Sequence, residues 1–588
     1  MDKHQILKQY FGHKVFREGQ GQLIDSLLTG RDALGIMPTG GGKSMCYQVP
    51  ALMLPGATLV VSPLISLMKD QVMALKHAGV PAAYINSSLT PAQLSTVYQR
   101  LCAGAYKLVY VAPERLEADG FVFAAQSLDI SLLAVDEAHC ISQWGQDFRP
   151  SYRKIPDFLA KLPRRPVIGA FTATATEAVR RDISAQLGLQ SPCTVVTGFD
   201  RPNLYFEVQS MTAAEKPAAL RSLLAERRGR CGIVYCSTRS RVERVCNDLT
   251  LHGYNAARYH AGLSDEERAQ SQDDFQFDRV QIMVATNAFG MGIDKSNVSF
   301  VIHYNMPKCL EAYYQEAGRA GRDGERADCI LLFSSGDINT AKFFIDNSSD
   351  NEELTPEERA RLRREDLKRL DAMVDYCKTK GCLRTAILDY FGQSHSGQCG
   401  NCSNCLTTYR QRDVTREAQM ALSCVRRMEN ALGAPSGAEL LADVLYGSDR
   451  AEITDAGLDR LTTYGLMRGQ SMAQIMALID FLRTDKLLCT AEDNSSALTL
   501  TERAEDVLFH GKRVLMPIEA APGEKKARRQ KATLEGEAAK LFAALKEVRT
   551  RLAKREGVPP YVIFSNATLT DMALRRPQSM GELLDVSG

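Results

Sequence analysis

Short, unbroken apolar runs alternate with amphipathic stretches through the first third of the chain. Within Leu34–Ser44 an apolar strand ends in glycines, and Thr58–Ser62, Leu108–Val111, Leu132–Val135 and Val167–Phe171 each read as a short buried strand. Alternation of this kind predicts a parallel α/β sheet, whose working residues sit at the carboxyl ends of the strands. A second set of runs, Cys231–Cys236, Gln281–Ala285 and Phe300–Tyr304, predicts a second α/β unit. Residues 338–375 follow a helical pattern, and Arg359–Arg369 within them is strongly basic, either a solvated face or a track for a phosphate backbone. From 412 to 512, helical stretches lead to Leu487–Thr490, a polar turn at Asp493–Ser496, and Ala497–Leu500. Helices followed by one hairpin predict a winged helix, with a short wing that carries no aromatic wedge. Pro522–Lys531, rich in Gly, Pro and charge, reads as a basic linker.

Composition narrows this picture little. The 588 residues are 45% hydrophobic and 24% charged, as in ordinary globular proteins, and the length suggests about four domains. A net charge of only +2 means that any nucleic-acid binding must come from local patches. The polar amino terminus has no signal-peptide core and no apolar run is long enough for a bilayer, so an intracellular protein is expected. The 16 cysteines are mostly scattered, as reduced thiols are, with one dense cluster.

Chemistry concentrates first in LGIMPTGGGKS (34–44). Gly40, Gly41 and Gly42 let backbone N–H groups close on a phosphate, at the start of a helix whose dipole favours anions. Lys43 then reaches the β/γ-phosphates and Ser44 ligates Mg²⁺. Met37 stands where the strict phosphate-loop pattern has glycine. Leu132–Val135 runs directly into Asp136 and Glu137, suited to holding Mg²⁺ and to activating the attacking water. Upstream, Gln20 can pair with an adenine edge, while Phe16 or Arg17 can stack on its ring. Trp144, the only tryptophan, lies close to Phe148, Arg149 and Tyr152, an aromatic–arginine mix suited to stacking on unpaired bases at about 1–3 kcal/mol each. The bland alternative for that group is a hydrophobic pin. The second α/β unit lacks its own phosphate loop but contributes Arg319 and Arg322, spaced i, i+3 and expected on one helix face, for the γ-phosphate. Asp294 is placed to touch the ribose or a coupling network. Cys382 followed by Cys399-x-x-Cys402-x-x-Cys405 predicts a tetrahedral Zn²⁺ staple; an iron–sulfur cluster is the rival, and Cys377 competes for the fourth position.

These segments resemble, in order, those of the RecQ-type DNA helicases of superfamily 2. The resemblance rests on MPTGGGKS (37–44), VSPLISLMKDQ (61–71), VAPERL (111–116), DEAHCISQWGQDFRPSY (136–152), TATAT (172–176), VYCSTR (234–239), YHAGL (259–263), ATNAFGMGIDK (285–295) and YYQEAGRAGRDG (313–324), and covers nearly the whole chain. It implies two RecA-like lobes with ATP bound between them. Thr39 then joins the ATP-binding loop, His139 joins the catalytic box, and Arg322 serves as arginine finger with Arg319 beside it. The aromatic loop senses single-stranded DNA, and Thr172 and Thr174 couple hydrolysis to lobe movement. The family pattern favours Cys382 over Cys377 as the zinc ligand. The domains expected are a first lobe over 1–205, a second over 206–337, a helical zinc module over 338–411, a winged helix over 412–515, a linker over 516–535 and a partial helicase-and-RNase-D C-terminal domain over 536–588. In the family that last domain continues through further helices beyond the point where this sequence stops.

The resemblance therefore implies an ATP-, Mg²⁺- and Zn²⁺-dependent helicase, moving 3′ to 5′ and serving DNA repair, recombination and replication. Single-stranded and duplex DNA are the expected substrates, a single-stranded-DNA-binding protein the expected partner, and a cytoplasmic, nucleoid-associated monomer the expected state, with no membrane contact. Two rivals share these features: an RNA helicase, and an ATP-gated DNA-binding or annealing factor with weak unwinding.

Overall fold

The computed structural model describes residues 1–63, 65–142, 145, 148–289, 295–347, 355–395, 397–491, 494–519 and 536–586. The chain forms two compact units. One comprises Met1–Asp366, Ile387–His395 and Gln530–Gly588; the other comprises Leu367–Ala386 and Ser396–Arg529.

The first unit is built on two parallel sheets. Its first lobe contains β1 (Ala33–Ile36), β2 (Ala57–Val61), β3 (Ala82–Ile85), β4 (Leu108–Val111), β5 (Ile130–Val135), β6 (Val167–Thr172) and β7 (Cys193–Val196), in the order β3-β4-β2-β5-β6-β1-β7. Helices cover both faces, so β1, β2 and β4 are buried along their whole length and their sequences are continuously apolar instead of alternating. Register matters for function here. Ile36 at the end of β1 pairs with Thr172 at the end of β6, and Val135 of β5 pairs with Ala170, so three functional segments leave the sheet side by side.

The second lobe contains β8 (Leu204–Ser210), β9 (Gly232–Tyr235), β10 (Ala256–Tyr259), β11 (Ile282–Ala285), β12 (Phe300–His303) and β13 (Ala327–Phe333), all parallel, in the order β10-β11-β9-β12-β13-β8. Five strands, β3, β7, β8, β10 and β13, fall outside the runs picked out from the sequence. Most of these are edge or near-edge strands in the strand order, where a half-exposed residue pattern such as that of β7 weakens the apolar signal. A terminal helical segment, with helices at Gly536–Glu556, Asn566–Arg575 and Met580–Leu584, belongs to the same unit and closes a small cluster around Leu569, Met572 and Val586.

The second unit has a helical core in which Leu422, Leu441, Leu445, Ile475 and Leu482 are buried together. A three-stranded sheet joins β15 (Ser436–Gly437), β16 (Leu488–Ala491) and β17 (Asn494–Leu500); a separate ladder joins β14 (Tyr409–Asp413) to β18 (Leu515–Glu519). Residues 516–519, expected in the linker, are thus strand. Their backbone satisfies its hydrogen bonds against Tyr409–Arg412, an antiparallel pairing that is far off in sequence and invisible to a local pattern. The remainder of the expected linker lies outside the described residues, as does part of the wing turn.

Candidate nucleotide site and metal centre

The phosphate loop leaves β1 and turns into the helix Lys43–Met53 through Gly40 and Gly42, which adopt φ of 79° and 80°. Side chains at those left-handed positions would be strained, so the glycines are required by the turn itself. Gln20, 3% exposed, braces the loop: its Nε2 donates to the Gly42 carbonyl at 3.0 Å while its Oε1 accepts from the Arg17 amide at 2.8 Å. Arg17 in turn donates through Nη1 to the Gly40 carbonyl. Two of the residues expected at the adenine, Gln20 and Arg17, thus shape the loop. Phe16 packs with Ile6, Ile24 and Val49 and meets His4 edge-on at 5.0 Å, and the nearby cleft wall is made by Tyr10, Phe11 and His13.

Asp136 follows β5 and is 6% exposed. Burial and the neighbouring Glu137 push its carboxyl up to about 7, against the pull of Lys43 and a hydrogen bond from the Glu137 amide at 3.0 Å. Asp136 and Ser44 line the same cleft, and a carboxylate with a hydroxyl is the kind of oxygen donor set that fits a hard divalent cation such as Mg²⁺. Glu137 sits at φ 46°, a left-handed conformation unusual for a non-glycine residue and common where function imposes strain. Its Oε2 lies 3.4 Å from His139 Nδ1. That nitrogen shares a 2.7 Å hydrogen bond with Thr172 Oγ1, and the Thr172 hydroxyl also meets the Thr174 backbone, its O at 3.3 Å and its N at 3.4 Å. The strand order explains the chain of contacts, because β6 lies between β5 and β1.

The aromatic loop is pinned to the same box. Arg149 donates from its amide to the Cys140 carbonyl at 2.9 Å and from Nη1 to the Pro63 carbonyl at 3.1 Å. Tyr152 is fully buried, with its hydroxyl donating to the Asp136 carbonyl at 2.9 Å. Base stacking does not extend to Tyr152; its ring is a buried pin. Phe148 lies under the Arg153 guanidinium at 4.9 Å. Trp144 and Asp294 lie outside the described residues.

Arg319 and Arg322 do not lie on a helix. The helix Leu310–Ala317 ends at Gly318, and both arginines ride the turn that follows, where Gly321 adopts φ 59°. Glycines at 318 and 321 stop the helix and permit the turn, which the i, i+3 spacing alone does not reveal. Arg319 is 5% exposed. Both arginines, the phosphate loop, Asp136 and Glu137 line one cleft of about 680 Å³, together with Ser296, Gln315 and, from the terminal helical segment, Tyr561. Tyr561 was not legible as a site residue, because its place in the cleft depends on how a distant segment packs.

In the second unit, the Sγ atoms of Cys382, Cys399, Cys402 and Cys405 all lie within 4.8 Å of one another, with Cys399–Cys405 at 3.9 Å and Cys402–Cys382 at 4.0 Å. Tetrahedral thiolates about 2.3 Å from one Zn²⁺ stand about 3.8 Å apart, so the four fit a single ion and are too close for a cluster. Amides of Thr385, Asn401 and Cys405 donate to three of the sulfurs at 3.5, 3.3 and 3.4 Å, as suits thiolate ligands. Cys377 is buried in the preceding helix and is not part of the group.

A DEAD/DEAH box helicase model matches residues 17–182 and a helicase conserved C-terminal domain matches 215–324, which makes this a two-lobed helicase motor. RecQ zinc-binding, RQC and HRDC domain models match 335–406, 408–525 and 538–588. The ATP-dependent DNA helicase RecQ of Bacillus subtilis is 44% identical over 99% of this chain and 95% of its own length. Its counterparts in Pasteurella multocida and Haemophilus influenzae are 39% and 37% identical over 99% of this chain and 90% and 92% of theirs. The chain belongs to the RecQ family of helicases.

Proposed function

We propose that the protein is an ATP- and Mg²⁺-dependent DNA helicase that moves 3′ to 5′ and acts in DNA repair and recombination. The observation that carries this reading is the single cleft in which Lys43, Asp136, Glu137, Arg319 and Arg322 meet, drawn from both RecA-like lobes. Loop amides and Lys43 cradle the phosphates of ATP. Ser44 and Asp136 would hold Mg²⁺, which when bound would neutralise phosphate charge. Glu137 takes the proton of the attacking water, and Arg322, with Arg319 beside it, stabilises the charge that builds on the transferred phosphoryl group.

Coupling to DNA follows the pinned contacts. A strand that shifts the loop carrying Phe148 and Arg149 pulls on the Asp136 carbonyl through Tyr152. Across the box, His139 carries the change to Thr172 and Thr174. The zinc module and winged helix hold the duplex. The protein works as a monomer in the cytoplasm, associated with the nucleoid, with a single-stranded-DNA-binding protein as partner; among the described residues no helix is long and apolar enough to cross a membrane.

The deciding experiment compares duplexes with a 3′ or a 5′ single-stranded tail, with and without ATP. Opening of the 3′-tailed duplex alone, and only with ATP, is expected. DNA-stimulated hydrolysis without opening of either would replace this reading by the annealing factor, and stronger stimulation by RNA than by DNA would favour an RNA helicase.

A further inference from the structure

We infer that Arg201, in the connector between β7 and β8, is the positioning residue that sets the arginine turn of the second lobe against the phosphate loop of the first. The inference rests on the ATPase reading of that cleft.

The connector is fastened on either side of Arg201, to the second lobe and to the segment that carries Phe391 and Gln393. The Phe199 ring stacks on Phe391 at 4.5 Å, its carbonyl accepts the Tyr314 hydroxyl at 2.7 Å, and its amide donates to Gln393 Oε1 at 2.6 Å. Asn203 Nδ2 donates to the carbonyls of Gly321 at 2.9 Å and Glu325 at 2.8 Å. Arg201 is thereby held in place from both sides. Its guanidinium reaches four main-chain carbonyls: Nη2 donates to Ala320 at 3.0 Å and Gly321 at 2.9 Å, and Nη1 donates to Gly318 at 3.3 Å and to Thr39 at 3.0 Å.

Three of those carbonyls belong to the turn that carries Arg319 and Arg322, and the fourth belongs to the phosphate loop. A turn with glycines at 318 and 321 is intrinsically pliable, so the placement of its arginines must be imposed from outside. The planar fork of an arginine supplies that constraint, since its donors point in fixed directions that a lysine ammonium does not reproduce. The two lobes are close at this point. A Cβ on Gly318 would stand 3.4 Å from Thr39 Cβ, and one on Gly40 would stand 3.4 Å from Arg322 Cγ. Arg201 does not line the nucleotide cleft. Its contribution is therefore to geometry, and it should appear in turnover without appearing in nucleotide affinity.

The test measures DNA-stimulated ATP hydrolysis and binding of a fluorescent ADP by full-length Arg201→Lys and Arg201→Gln, with Asn203→Ala as a milder variant that loosens the seat of Arg201. Misplacement of catalytic groups by about 1 Å costs on the order of 100-fold in rate. Arg201→Lys is expected to lose roughly 30- to 100-fold in kcat, with KM for ATP and the Kd for ADP within about 3-fold of the parent. Asn203→Ala is expected to fall between Arg201→Lys and the parent, again without a change in KM. A kcat for Arg201→Lys within about 3-fold of the parent would overturn the inference, as would a rise in KM matching the fall in kcat, which marks direct nucleotide contact. Loss of folding in all three variants, seen as a collapse of the thermal transition, would also overturn it by making the role structural. Absence of DNA-stimulated hydrolysis in the parent protein would instead sink the underlying reading of the cleft.

Discussion

In the proposed site, Lys43 is the side chain on which phosphate binding turns. Lys43→Ala should reduce ATP turnover at least ~100-fold while single-stranded DNA affinity stays within about 2-fold, as measured by steady-state hydrolysis and fluorescence anisotropy. Tyr152 tests the coupling route. Tyr152→Phe keeps the buried ring but removes the hydrogen bond to the Asp136 carbonyl, so stimulation of hydrolysis by DNA should fall several-fold while DNA-free hydrolysis changes little. Asp323 gives a pH signature. Burial holds its carboxyl up at about 6 against an ordinary 3.8. Between about pH 4 and 6 the folded chain keeps a proton that the unfolded chain has released, so the stability contributed by that proton is lost as pH rises toward 6. Replacing Asp323 by Asn should flatten the fall of the urea midpoint across that window.

At the scale of elements, two local structures carry outsized consequences. The turn 318–321 works because Gly321 accepts φ 59°; a Cβ there would meet Asn203 Nδ2 at 2.5 Å and the Glu325 carbonyl at 2.7 Å. Gly321→Ala should therefore displace the arginines and lower kcat by at least ~10-fold, with a smaller effect on KM. The four-cysteine module is held by its metal. Purified protein should contain about one zinc per chain by atomic emission, and Cys402→Ser should lose it and lower the thermal midpoint of the second unit. In that unit Arg483 pairs with Asp375 at 2.6 Å and Lys378 with Asp480 at 2.7 Å, joining the helix ahead of the cysteines to the winged helix. Melting the zinc site should therefore also weaken duplex binding.

For the whole molecule, the proposed mechanism requires both lobes, since residues of both line the cleft. Arg322→Ala removes a charge supplied across the cleft to the phosphates held by the first lobe, and should cost about 10³-fold in kcat, the usual scale for an arginine finger. Because that arginine arrives only when the lobes meet, the same change should abolish unwinding of a 3′-tailed duplex while leaving the tail bound.

The sequence alone determined the two α/β units, the phosphate loop, the Asp136–Glu137 box, the zinc cysteines and the winged-helix pattern. Each is written locally, as an apolar run, a glycine that must take a left-handed turn, or a ligand spacing. Packing decided the rest. That Gln20 and Arg17 brace the loop, that Tyr152 is a buried pin, that the arginines ride a turn, that Leu515–Glu519 pairs with Tyr409–Asp413, and that Tyr561 and Arg201 stand at the nucleotide cleft and its rim all depend on contacts between residues far apart in the chain. Periodicity reports which face of an element is apolar, but not which distant carbonyl or ring will meet it.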